Sequence, residues 1–266
     1  MYPRLPRPLG LARFRAVPVL SAILLLGLCG CKTDGLSDIT GSLGDKAEKT
    51  SPAQSLEFYR DRYRSNPNDI DAALKYGKAL RASGQRSQAV AMLEQAMIAH
   101  PGDKALMAGY GRALADNGNF QQALEVLGRA HSPEDPDWRI LSAQGTILDQ
   151  LGRGEEARQY YASALRIVPD EPSVLSNLAL SYVLSKDLAK AEETLRRANS
   201  RGDADPRVKL NLALVVGLRG NMAEAESLAK EGQPPEEAAA NVTYLKRMLA
   251  RQAAAKPGPG GTARTD

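Results

Sequence analysis

Small residues recur through this chain at an interval of 34 positions. Gly77, Gly111 and Gly145 share one phase, and Ala179 and Ala213 continue it. A second phase holds Gly84, Gly118, Gly152 and Gly220, with Lys186 in the fourth place. Ala89, Ala123, Ala157, Ala191 and Ala225 fill a third phase without exception. Ala96, Ala130, Ala164 and Ala198 keep the same step with Gly232 at the next, and Pro67, Pro101 and Pro169 close units. A fixed period of this length marks a repeat array, in which each unit buries its apolar side against its neighbours. The interval accommodates two helices and short turns, and the segments SGQ, NGN, LGR, SKD and RGN sit where the first helix must hand over to the second. A residue tolerating positive φ is needed there. Small side chains let the paired backbones approach. Leu93, Leu127, Tyr161 and Leu195 on the second helices, with Tyr76, Tyr110, Leu178 and Leu212 on the first, fill the remaining space.

The pattern resembles the tetratricopeptide repeat (TPR), with a small residue at position 8 of each unit, alanine at 20 and 27, and proline at 32. In that register the units are 70–103, 104–137, 138–171, 172–205 and 206–239. The resemblance implies an all-α TPR superhelix of about five helix-turn-helix units plus flanking helices, spanning residues 51–255. Ser51 and Pro52 read as the cap and first residue of a helix preceding unit one. Pro133 and Pro136 predict an early end to the second helix of unit two, and Gly232, Pro234 and Pro235 a frayed unit five. Residues 240–255, apolar at Val242, Leu245, Met248 and Leu249, are the expected capping helix. The Gly/Pro-rich stretch 256–266 is expected to be a disordered tail.

The N-terminus reads as an address. Arg4, Arg7, Arg13 and Arg15 precede an uncharged run from Ala16 to Gly30, too short for a bilayer-spanning helix and suited to a signal-peptide core. The run ends in Leu28-Cys29-Gly30-Cys31, which resembles a bacterial lipobox. The resemblance implies a signal peptide over 1–30, cleavage before Cys31 and diacylglycerol on its sulfur, with Cys29 a poorer competing site. A plain secretory peptide or an uncleaved anchor is the alternative. Lys32 follows the cysteine where Asp would signal inner-membrane retention, so the implied destination is the outer membrane, facing the periplasm. Residues 31–50 then form the lipidated cysteine and a polar, flexible tether, whose r.m.s. span is roughly 25 Å. Cys29 and Cys31 are the only cysteines, so cleavage and lipidation leave no thiol for disulfide, metal or catalysis. The net charge of +4 vanishes with the leader: without its four arginines the chain has 31 basic against 31 acidic residues. That balance argues against nucleic-acid binding, which needs a surplus of cations.

No hydrolase elbow, phosphate loop or zinc-binding helix motif occurs, and His100 and His131, at the ends of second helices, have no ligand partner at metal spacing. Neither catalytic residues, a metal, a cofactor nor a small-molecule substrate is therefore expected. Trp138, opening unit three, reads as an interhelical packing residue or a partner anchor. The TPR resemblance instead implies a protein partner held along the concave first-helix face. In this register that face carries Lys75, Lys78, Arg112, Arg139, Asn177 and Asn211, with Arg81, Asp116, Ser142, Asp149, Ser176 and Arg207 beside them. The two asparagines occupy position 6, where peptide-binding members pair the amide with a ligand backbone. The basic early part suits an acidic segment or a terminal carboxylate.

Lipobox, short tether, near-regular repeats and Pro/Gly-rich C-terminus together resemble TadD-type lipoproteins of tight-adherence (Flp) pilus systems and, more distantly, type IV pilotins. The resemblance implies a membrane-anchored scaffold that binds a secretin subunit or another pilus assembly protein. The alternative is an envelope adaptor for β-barrel assembly or for peptidoglycan enzymes.

Overall fold

The computed structural model describes residues 52–200, 205–231 and 234–255. The leader with Cys31, the tether, Ser51, Gly232 and the tail 256–266 lie outside the described residues. The regular structure described is entirely helical: α1 (Pro52–Ser65), α2 (Ile70–Ala82), α3 (Arg86–Ala99), α4 (Lys104–Asp116), α5 (Phe120–Arg129) and α6 (Trp138–Gln150). It continues with α7 (Gly154–Ile167), α8 (Pro172–Leu184), α9 (Leu188–Asn199), α10 (Pro206–Leu218), α11 (Met222–Lys230) and α12 (Pro235–Ala255). The first helix of each unit starts at the first residue of its 34-residue window, from Ile70 to Pro206.

Two devices repeat at the helix ends. An acid stands immediately before each window and caps its first helix. Asp69 accepts from the Ala72 N–H at 3.1 Å, Asp103 from Leu106 at 2.8 Å, Asp137 from Arg139 at 2.7 Å, Glu171 from Ser173 at 3.3 Å and Asp205 from Arg207 at 2.8 Å. Each bond satisfies an amide the helix itself leaves open, and the negative charge meets the positive end of the helix dipole. Each first helix then ends in a Schellman turn, the residue after the left-handed one donating back across the last turn: Gln85 to Leu80, Asn119 to Leu114 and Arg153 to Leu148, all at 2.9 Å. Four of the five left-handed residues are glycine, and the fifth is Lys186 with φ of 63°.

The repeated small residues are buried where the register requires. Ala89, Ala123, Ala157, Ala191 and Ala225 are all 0% exposed. A Cβ at Gly77 would come within 2.8 Å of Leu93, one at Gly111 within 2.6 Å of Leu127, and one at Gly145 within 2.7 Å of Tyr161. Position 8 is therefore small because position 24 of the same hairpin is large and points at it. Leu93, Leu127, Tyr161 and Leu195 are buried there, each contributing about 1.5–3 kcal/mol by leaving water.

Two irregularities stand out. α5 has 10 residues where α3 and α7 have 14: the helix stops at Arg129, and Ser132 and Asp135 close a turn on each other. The missing turn leaves a cleft of about 580 Å³ beside α6 and α7, reached by His131, Gln144, Tyr160 and Arg166. The terminal helix departs from expectation: α12 begins at Pro235, not Ala240, and α11 stops at Lys230. Pro235 lacks only an N–H that the first turn cannot use, and Glu236 and Glu237 suit the first turn of the dipole, so the proline that read as a breaker starts the helix. Leu245 of α12 is 1% exposed, and Leu249 lies where a Cβ on Gly217 would meet it at 2.7 Å, so α12 covers the last apolar face.

Candidate protein-binding groove

Successive first helices pack against each other: α2 on α4, α4 on α6, α6 on α8 and α8 on α10. Successive second helices stand farther apart and meet through long side chains, as Arg196 of α9 meets Glu224 of α11 at 2.7 Å. The described repeats therefore curve with their first helices inside, the helices that carry Lys75, Lys78, Arg112, Arg139, Asn177 and Asn211.

The cations on these helices differ in what surrounds them. Lys75 reaches Asp71 at 3.0 Å, and Arg81 reaches Asp116 of the next unit at 2.6 Å. Lys78 and Arg139 are exposed and have no ion pair among the described residues. The Arg139 guanidinium lies 4.4 Å from the centre of the half-buried Trp138 ring, a cation–π contact that leaves its edge free to donate. Arg112 is partly buried, and among the described residues its guanidinium makes neither a hydrogen bond nor an ion pair. Burial, reinforced by the positive charge of Arg81, holds its pKa below the ordinary guanidinium value. Arg112, Arg139, Trp138, Ser142, Ser173 and Asn177 surround a notch of about 20 Å³.

Farther along, the first helices are tied to one another. Asn177 donates an amide N–H to Ser142 at 3.1 Å, and Asn211 donates one to Ser176 at 2.9 Å. Each bond joins position 6 of one unit to position 5 of the unit before, so the amides expected to meet a ligand are engaged across the seam. Asp149 is also internal: its carboxylate accepts from Ser181 at 2.8 Å and from Tyr161 at 2.9 Å. Burial pushes the Asp149 pKa up, and burial beside that carboxylate pushes the Tyr161 phenol well above its ordinary range. His131 has Nε2 3.2 Å from the Gln144 amide oxygen, while the buried Nδ1 of His131 and Nε2 of His100 have no partner in the described residues. The described residues contain no cluster of three side chains suited to a metal, and no described helix is long and apolar enough to cross a membrane.

The tetratricopeptide repeat family matches over residues 80–145 and 150–215, and a second pattern of the same repeat matches over 127–172. The hairpins are tetratricopeptide repeats. Among solved structures the fold is similar to that of PilW, a type IV pilus biogenesis factor, at a TM-score of 0.60 and 19% identity over 73% of this chain and 90% of that one. It is similar to that of PilF of Pseudomonas aeruginosa, at 0.52 and 17% identity over 74% and 89%. It is also similar to a chain of the Cut9–Hcn1 assembly, at 0.59 and 16% identity over 76% of this chain but only 40% of that one. No curated protein sequence matches. At these identities the likeness is one of fold, and the TPR architecture is that of a protein-interaction scaffold.

Proposed function

We propose that this TPR protein is a non-enzymatic adaptor anchored through Cys31 in the outer membrane, facing the periplasm, whose groove holds a segment of a secretin subunit during assembly of a Flp/Tad pilus. The observation that carries the reading is the inward curvature of α2, α4, α6, α8 and α10, which turns unpaired cationic groups toward one concave face. A groove on a fixed anchor raises the local concentration of any segment it holds. The Leu28–Cys31 box and the polar tether support the location, and the likeness of fold to PilW supports the pilus setting. A photoreactive residue replacing the exposed Arg139, crosslinked in cells and read by mass spectrometry, tests the partner. Capture of a secretin subunit is the expected result. Capture of β-barrel assembly subunits or peptidoglycan enzymes in its place transfers the adaptor to that task. Radiolabelled palmitate that enters the Cys31→Ser variant as well as the parent refutes the anchor.

A further inference from the structure

Arg112 is a partly buried guanidinium that makes neither a hydrogen bond nor an ion pair among the described residues. Desolvating an uncompensated charge is costly, so an unpaired, partly buried cation in a concave site calls for an anion. The carboxylates of Asp137 and Asp116 attract it from a distance, and both are bonded elsewhere. Asp116 is engaged by Arg81, and Asp137 caps α6 through the Arg139 N–H. The other polar groups at the notch are poised to donate. Ser142 already accepts from Asn177, which leaves its hydroxyl proton to give, and Asn177 keeps a second amide hydrogen. Arg139, stacked on Trp138, adds its free edge and a second positive charge. We infer that the notch between Arg112, Arg139, Ser142 and Asn177 receives the side-chain carboxylate of an aspartate or glutamate in the bound segment of a partner protein.

Size and position sharpen the assignment. A space of about 20 Å³ slightly exceeds what one water occupies, so it admits the end of a side chain and not a whole ligand. A carboxylate is planar and matches the guanidinium fork with two parallel hydrogen bonds. The notch is built from α4, α6 and α8, with first helices continuing on both sides at α2 and α10. A segment lying there runs on in both directions, which favours an internal acidic side chain over a chain terminus.

The inference rests on the groove reading of the proposed function, and its test separates the two. The probes are fluorescent, N-acetylated, C-amidated decapeptides with three central glutamates, with three central glutamines, and the glutamine peptide carrying a free C-terminal carboxylate. Binding to the full chain is followed by anisotropy. The glutamate peptide is expected to bind about tenfold or more tightly than its glutamine counterpart, and Arg112→Met to remove that preference. Circular dichroism confirms that Arg112→Met folds, and Arg166→Met, outside the groove, is expected to change nothing. Equal binding of glutamate and glutamine peptides, or a glutamate preference that survives Arg112→Met, overturns the inference. A preference for the free-terminus peptide alone overturns it in favour of a chain end, and selective competition by inorganic phosphate overturns it in favour of a phosphate. If Arg139 crosslinking in cells still captures its partner from an Arg112→Met background at parental yield, the groove reading stands and the carboxylate assignment falls.

Discussion

The two halves of the concave face use the same register for opposite ends. On α2, α4 and α6 the register brings Lys78, Arg112 and Arg139 to the groove without ion pairs in the described residues, and Arg112 is partly desolvated as well. On α8 and α10 it brings asparagines whose amides close onto serines one unit back, and cations that are satisfied locally. Arg207 pairs with Asp205 at 2.8 Å and Lys209 with Glu231 at 3.0 Å. The front half joins its first two hairpins through Arg81 and Asp116 but leaves Lys78, Arg112 and Arg139 without an ion pair, whereas the rear half engages its groove amides and cations. A TPR position therefore says which way a side chain faces but not whether it is available. Availability depends on what the adjacent unit offers across the seam.

The contrast presupposes one continuous packing seam beneath both halves, and the largest expected effect tests that. Ala123→Leu in the front and Ala191→Leu in the rear should each lower stability by roughly 1–3 kcal/mol, because both positions are fully buried against a facing helix. A thermal melt without loss in either variant breaks the shared register. Next come the groups that distinguish the halves. Arg112→Met should raise the stability of the free protein by about 1 kcal/mol, since an unpaired, partly buried charge is replaced by an apolar chain of similar length. Asn211→Ala should lower it by about 1 kcal/mol through loss of the bond to Ser176. If denaturant unfolding moves both in the same direction, the open-against-closed distinction fails.

Lys186 gives an effect of similar size at the turn of unit four. Its φ of 63° is the conformation glycine holds in the other units, and its side chain is exposed, so Lys186→Gly should stabilise by about 1 kcal/mol. An unchanged or lower melting temperature would show that the turn is not strained.

The smallest effects are those of pH. The guanidinium of Arg207 and the Arg207 N–H hold Asp205 below its ordinary 3.8, and backbone bonding from Ala72 does the same for Asp69. A depressed folded pKa means stability that is present above the unfolded value and lost as pH falls through the folded one, so these caps weaken below pH 3.8. Asp149 works the other way. Burial raises its pKa, so its contribution favours the fold on the acid side and is lost as pH rises through the raised value. Carboxyl carbon titration by NMR should find Asp69 and Asp205 below 3.8 and Asp149 above it; the reverse order would refute the environments assigned to them.

Much of the fold was legible because its signal is local and repeats. Ala89 through Ala225 mark the seam, and the shortened α5 is announced by Pro133 and Pro136. The acids at Asp69, Asp103, Asp137, Glu171 and Asp205 were equally legible in their 34-residue spacing, yet their capping role emerged only with the helix starts. Pro235 misled for the opposite reason. The same residue breaks a helix from within and opens one at its first turn, and the sequence does not say where the turn falls. The site was less legible than the fold. The register places Asn177 and Arg112 on one face, but Ser142 lies 35 residues from Asn177 and the charges around Arg112 come from three helices.

Sequence alone determined the repeat, its phase, the turns and the concave face, because each follows from residue size and backbone preference within a single hairpin. Tertiary structure alone decided which groove residues are free. Hydrogen bonds and desolvation are settled between hairpins, by side chains that meet only after the units have stacked.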